Sequence, residues 1–185
     1  MTPIGRAFLA VVPPDEVLAA LETRVDRVRE LEPRLKWVRR EQLHVTLQFL
    51  GRVSDEEALV AALIDGVSSV PSFALQLGGA GAFPKPRRAA IVWAGVRAGE
   101  AEIVALAEGL QEAAATAGFT PEDRRFHPHV TLARVPRPRP VDALLAALGD
   151  DPIGAPFEVG EVVLFESDTR PDGAVYAERA RLRLG

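Results

Sequence analysis

The sequence of 185 residues contains no cysteine. Disulfide bonds, thiolate metal sites and cysteine nucleophiles are therefore excluded. Histidine is also scarce, with three residues in the whole chain. Chemistry that depends on imidazole groups must consequently be concentrated at very few positions.

Long hydrophobic runs and an excess of basic charge are missing as well. The apolar run from Phe8 to Val12 stops at Pro13 and is too short for a membrane span or a signal-peptide core. We therefore expect a cytoplasmic protein with no membrane partner. The formal net charge is -4, whereas proteins that coat nucleic acids are usually basic. Any nucleic acid would have to bind at one local site, through the end of its polynucleotide chain.

Hydrophobic periodicity predicts strands that alternate with helices. The predicted strands are residues 7–12, 36–38, 43–50, 73–77, 89–96, 126–133, 157–166 and 174–184, and the predicted helices run from 15 to about 31, from 54 to about 67, over 100–117 and over 141–148. We expect a proline-arginine loop over 134–140 and a hairpin turn over 168–173. Strands joined by short connections favour an α+β fold with mainly antiparallel sheets.

One tetrapeptide occurs twice. His44-Val45-Thr46-Leu47 and His129-Val130-Thr131-Leu132 lie 85 positions apart, each in a predicted strand. Because side chains alternate along a strand, the His and Thr of each copy share one face and the apolar pair shares the other. The repeat predicts a single domain over 1–185 with two pseudo-symmetric halves, whose polar faces line one central cleft.

Two imidazoles and two hydroxyls suit the cleavage of a phosphodiester. Histidine titrates near neutral pH, so one copy can accept a proton from water while the other protonates the leaving oxygen. Thr46 and Thr131 can donate hydrogen bonds to the nonbridging phosphate oxygens. Since the two copies are identical, the residues do not fix which histidine is the acid. A lone histidine on a strand is usually structural, but here two of three occupy the same motif.

The chain resembles a known family over nearly its whole length. The two motifs look like the HxTx signatures of the two-histidine phosphoesterase superfamily, and in particular of the bacterial and archaeal RNA 2′,3′-cyclic phosphodiesterases, also called 2′-5′ RNA ligases. The similar segments are 6–11 (RAFLAV), 36–38 (KWV), 42–51 (QLHVTLQFLG), 84–96 with its VWAGV end, 118–119 (GF) and 126–134 (FHPHVTLAR). The last fifty residues are less similar.

The resemblance implies a bilobal fold with the active site between the lobes. It implies hydrolysis of a 2′,3′-cyclic phosphate at an RNA 3′ end to a 2′-phosphate, with no metal or other cofactor. On that reading His44 is the proton donor and His129 the proton acceptor. The partners would be RNA 3′ ends, among them tRNA fragments, and the protein would act as a monomer.

Other residues are weaker candidates. Arg134 follows the second motif and could bind the phosphate, although an ordinary solvated arginine is an equal interpretation. His127 is more typical of a support at the strand entrance than of a catalytic group. Basic residues at 85, 87, 88, 137 and 139 could guide an RNA backbone, and Phe49, Phe83 or Phe126 could stack on a terminal base. No third His or Cys stands at zinc-ligand spacing.

Two alternative functions remain open. The same site could join a 5′-hydroxyl to the cyclic end, giving an ATP-independent 2′-5′ RNA ligase. The protein could also be an RNA-end binding module without turnover. Two titratable imidazoles favour catalysis, because binding alone does not require them.

Overall fold

The computed structural model describes residues 3–170 and 173–185. The strands are β1 Ile4–Val11, β2 Lys36–Trp37, β3 Val45–Val53, β4 Phe73–Phe83, β5 Ala89–Ala98, β6 Val130–Arg139, β7 Pro152–Val159, β8 Glu161–Arg170 and β9 Gly173–Arg183. The helices are α1 Asp15–Arg29, α2 Glu56–Val67, α3 Glu100–Thr116 and α4 Asp142–Leu148. The predicted α+β class is confirmed.

All the strands belong to one antiparallel sheet. Its order is β7-β4-β5-β6-β3-β1-β8-β9, and the short β2 pairs with β6. In the middle of this order, β3 and β6 are joined by one residue pair, Val45 with Val130. These valines are equivalent positions of the two tetrapeptides. The sheet thus divides at the repeat into a group of five strands, β2 included, and a group of four, with one motif at the inner edge of each group.

The apolar positions of the repeat lie in the core as predicted. Val45, Leu47, Val130 and Leu132 are all buried. The helices cover the sheet: α1 packs against β7 and α4, and α2 packs against α3 and β9. Among the described residues, no helix is both long enough and apolar enough to cross a membrane.

Several predicted boundaries are wrong. The proline-arginine segment 134–140 is not a loop, because β6 continues to Arg139. Prolines 136 and 138 are tolerated for two reasons. The pairing of β6 with β5 is irregular between Arg134 and Arg139, and on the other side of β6 the strand β2 pairs with only two residues. The predicted strand 157–166 is two strands, β7 and β8, separated at Gly160.

The strand and helix starts also differ in detail. His44 and His129 each precede their strand by one residue, so the histidines are at strand entrances. Helix α2 begins at Glu56 and not at residue 54 as predicted, because the carboxylate of Asp55 caps it by accepting a hydrogen bond from the Ala58 amide at 2.9 Å. Residues 171 and 172 of the predicted hairpin turn lie outside the described residues. Strand β8 ends at Arg170, and strand β9 begins at Gly173.

Candidate active site

The two motifs face a single cavity of about 1080 Å³. His44 and Thr46 lie on its wall from the side of β3, and His129 and Thr131 from the side of β6. Arg134, farther along β6, lies on the same wall. All five residues named from the sequence therefore come together. The two motif strands meet at the Val45–Val130 pair, which accounts for the convergence.

His44 is held on three sides. Its Nε2 lies 2.9 Å from the Thr46 hydroxyl, and its ring also donates a hydrogen bond to the Gln42 backbone. The ring stacks on Phe8 at 5.0 Å between centroids and meets Tyr176 edge-on at 5.4 Å. These aromatic neighbours exclude water, and burial lowers the pKa of His44 to about 4.

His129 has a similar arrangement made from different residues. Its Nδ1 lies 2.7 Å from the backbone carbonyl of His127. The ring of Phe83 meets it edge-on at 5.0 Å, and Trp93 lies 6.1 Å away. Burial is the main effect on His129 and lowers its pKa. The hydrogen bond to the His127 carbonyl raises the pKa, and the charge of the His127 ring lowers it. His127 thus supports the strand entrance through its backbone.

These hydrogen bonds assign the ring nitrogens. Carbonyl oxygens accept only, so Nδ1 of His129 carries the proton and the neutral ring presents the lone pair of Nε2. In His44 Nε2 faces Thr46, which leaves Nδ1 for the Gln42 carbonyl. In both motifs the carbonyl two residues earlier fixes the tautomer. Both rings can therefore exchange a proton with a bound group through Nε2.

The two histidines interact electrostatically. A positive charge on His129 lowers the pKa of His44, so protonation of one ring opposes protonation of the other. This effect on the pKa of His44 is smaller than those of burial and of the Gln42 hydrogen bond. The singly protonated form has one acid and one base, which is the state that acid-base catalysis requires.

The cavity wall is strongly cationic although the chain is acidic. Five basic side chains lie on it, and none of the described residues on the wall is an Asp or Glu; the basic residues are Arg6, Lys36, Arg39, Arg134 and Arg170. Arg39 and Arg170 form ion pairs with Glu41 and Asp168. The other three, Arg6, Lys36 and Arg134, have no ion-pair partner among the described residues, so this wall favours an anion such as a phosphate. The local basic site that the overall charge demanded is therefore present.

The basic residues predicted to guide RNA are elsewhere. None of Lys85, Arg87, Arg88, Arg137 and Arg139 lies on the described cavity wall. Arg139 instead forms an ion pair with Glu32. Of the three candidate phenylalanines, Phe49 and Phe83 line the cavity, whereas Phe126 packs against the core. Phe49 is 67% exposed and Phe83 supports His129.

The residues that support the first motif on this wall were not predicted from the sequence. Phe8 and Tyr176 enclose His44, and Gln42 joins the first motif to β9 through a hydrogen bond from its side-chain amide to the Ala174 carbonyl. Burial raises the pKa of Tyr176. The nearby Arg134 cation lowers it by a smaller amount. No periodicity in the sequence connects position 176 with position 44, because β9 reaches the cavity only through β8 and β1.

The described residues contain no group of three His, Cys, Asp or Glu side chains placed to hold a metal ion. The titratable side chains on the described wall, apart from the arginines, are the two imidazoles, the Tyr176 phenol and the Lys36 amine.

Comparisons with known proteins agree with the geometry. The family model of the 2′-5′ RNA ligase superfamily matches residues 13–171. A protein of Aeropyrum pernix named RNA 2′,3′-cyclic phosphodiesterase is 37% identical over 147 residues, which cover 77% of this chain and 82% of that protein. A protein of the same name from Methanothermobacter thermautotrophicus is 34% identical over 185 residues, 97% of this chain and 98% of its own.

Solved structures are similar over the full length. The crystal structure of Escherichia coli LigT complexed with 3′-AMP has a TM-score of 0.74 and 28% sequence identity, and 99% of each chain is covered. The family match covers most of the sequence and includes both tetrapeptide motifs. The chain belongs to the 2′-5′ RNA ligase superfamily.

Proposed function

We propose that the protein is an RNA 2′,3′-cyclic phosphodiesterase, which hydrolyses the cyclic phosphate at an RNA 3′ end to a 2′-phosphate. The observation that carries the proposal is the convergence of His44, Thr46, His129 and Thr131 on one cationic cavity. The relatives that bear this activity in their names support the substrate class.

In the proposed reaction, a water molecule attacks phosphorus and the bond between phosphorus and the 3′ oxygen breaks. His129 takes a proton from the water through Nε2, since Nδ1 is committed to the His127 carbonyl. His44 gives a proton to the departing 3′ oxygen. The products are a 2′-phosphate and a 3′-hydroxyl, and the two imidazoles have exchanged protonation states. Each such proton transfer typically contributes roughly 10²–10⁴-fold in rate.

The remaining groups hold the phosphate. Thr131 donates a hydrogen bond to one nonbridging oxygen. Thr46 donates to another once His44 is protonated and no longer accepts the proton of the Thr46 hydroxyl. The Arg134 guanidinium supplies a charged donor from the side of Tyr176. Both motifs belong to one chain, so a single bilobal domain can act as a monomer. The steps described use no metal ion.

The decisive experiment uses an RNA oligonucleotide with a 2′,3′-cyclic phosphate end in the presence of EDTA. The wild type should give a 2′-phosphate end, and His44→Ala and His129→Ala should each lose at least 10²-fold in rate. Arg87→Ala, a change at a basic residue off the cavity wall, should retain activity. Turnover that persists in either histidine variant, or that EDTA abolishes, would contradict the proposal.

Ligation is the same step with another nucleophile. A 5′-hydroxyl in place of water would attack phosphorus and give a 2′-5′ linkage without ATP, with His129 again taking the proton of the nucleophile and His44 again protonating the departing 3′ oxygen. Adding a 5′-hydroxyl RNA in excess and assaying for the 2′-5′ product measures this activity. If neither product forms at any pH although the RNA end binds, the protein is a binding module.

A further inference from the structure

The cationic wall extends well beyond the two histidines. Ala10 of β1 pairs with Thr46 of the first motif. From Ala10 towards its N-terminus, β1 runs past Phe8 to Arg6. Four residues of extended strand correspond to roughly 13 Å. Arg6 enters the same cavity from a backbone position two residues beyond Phe8, so its guanidinium can hold a phosphate other than the one between the two histidines.

An exposed aromatic ring stands between the two levels. Phe49 pairs with Phe8 across the strands, their ring centroids are 6.1 Å apart, and Phe49 is 67% exposed. A β-bulge puts it there. Leu9 pairs with Gln48 and Ala10 with Thr46, so Leu47 is an extra residue, and Leu47 and Gln48 are both buried. Strict alternation from Thr46 would have turned Gln48 to the cavity instead.

Arg6 is oriented by a neighbour from β8. Its Nη1 lies 3.1 Å from the Thr169 hydroxyl, and both residues are exposed on the cavity wall. Within residues 3–170 and 173–185, no carboxylate lies within ion-pair distance of this guanidinium. Glu166 on the same strand accepts a hydrogen bond from the Gly5 amide and faces Arg179. An arginine that donates to a hydroxyl and has no acidic partner in the described part of the chain is suited to bind a phosphodiester.

We infer that Arg6 and Thr169 form a second phosphate site, which binds the phosphodiester preceding the terminal nucleotide while the terminal base lies against Phe49. The inference rests on the proposed function and refines its substrate: the protein takes the end of an RNA chain of at least two nucleotides in preference to a mononucleoside 2′,3′-cyclic phosphate. Stacking on an exposed aromatic tolerates any base, so the preference is for chain length rather than sequence.

The test compares two substrates, a mononucleoside 2′,3′-cyclic phosphate and a dinucleotide with the same cyclic end. The wild type should have the higher kcat/KM for the dinucleotide. Arg6→Ala should lower the ratio of the two kcat/KM values about tenfold, and Thr169→Val should lower it in the same direction. A single-strand phosphate contact contributes about 0.7 to the slope of log affinity against log salt, so the Arg6→Ala dinucleotide slope should fall by about that amount.

The matched control is Arg52→Ala, which removes an exposed arginine of β3 that lies off the cavity wall. Its substrate ratio should equal that of the wild type. An Arg6→Ala ratio equal to that of the wild type overturns the inference, as does a wild type that prefers the mononucleotide. Hydrolysis of the mononucleotide that depends on His44 upholds the proposed function in either case, so failure of the second site is distinguishable from failure of the catalytic proposal.

Discussion

The imidazole of His44 stacks on the ring of Phe8, with their centroids 5.0 Å apart and their planes inclined by 29°. The edge contact with Tyr176 closes another side of the ring. Together they remove His44 from water, which disfavours its cation, and the pKa falls to about 4. The proposed proton donor is thus neutral in the free protein at pH 7. A bound phosphate anion stabilises the cation and raises the pKa again.

The pH dependence of kcat/KM should reflect this arrangement. The active free enzyme has one protonated and one neutral histidine, and the pKa values of both are lowered. The optimum of kcat/KM should therefore lie below pH 6.5, with the alkaline limb set by loss of the acid's proton. The profile of kcat should extend to higher pH, because bound substrate raises the pKa of the acid. Initial rates across pH 4 to 9 at low and saturating substrate measure both, and a kcat/KM optimum above pH 7 would contradict the prediction.

The same burial should make His44 a source of acid destabilisation. Its pKa is about 4 when folded and about 6.5 when unfolded. The unfolded chain therefore binds more protons in this window, and the free energy of unfolding falls as the pH decreases from 6.5 towards 4. The loss from this residue is roughly 3 kcal/mol at the acid end.

Replacement by an uncharged residue removes that contribution. His44→Gln should lose less stability than the wild type between pH 6.5 and pH 4, as measured by urea unfolding at several pH values. A surface change such as Arg87→Ala is the control and should follow the wild-type curve. Parallel curves for His44→Gln and the wild type would show that the ring is hydrated in the folded protein.

The sequence predicted the two motif strands because alternation and repetition are local signals. Val45, Leu47, Val130 and Leu132 had to be buried, which left each histidine and threonine to share a face. One step that alternation cannot foresee is the bulge at Leu47, which turns Phe49 rather than Gln48 to the cavity. A bulge depends on pairing with β1, and the pairing partner is not encoded within the strand itself.

The basic wall could not be assembled from the sequence for a related reason. Arg6 and Arg170 belong to opposite ends of the chain and line the same cavity because β1 pairs with β8. Arg137, by contrast, is only three residues from Arg134 in the sequence, but it does not line the cavity. Proximity in sequence is a poor guide to a site built from several strands of one antiparallel sheet.

The threonine hydroxyls should contribute to the rate more than to stability. Thr131→Val keeps the volume and removes one donor to the phosphate, so we expect kcat to fall about 10²-fold or more. The melting temperature should change little, because the side chain is only half-buried. Thr120→Val, an exposed change outside the cavity, is the control. Unchanged kcat in Thr131→Val would remove the hydroxyl from the mechanism.

Arg134 can be tested without any substrate, because the chain has a single tyrosine. Burial raises the pKa of Tyr176 and the Arg134 cation lowers it. Arg134→Ala should therefore move the absorbance titration of this phenol to higher pH, whereas Arg137→Ala on the same strand should leave it in place. In the activity assay, Arg134→Ala should lower kcat/KM by 10-fold or more, with partial recovery in Arg134→Lys, since lysine keeps the charge but loses the two-pronged geometry. A titration curve unaltered by Arg134→Ala would mean that the guanidinium points away from the cavity, and the loss of activity would then need another cause.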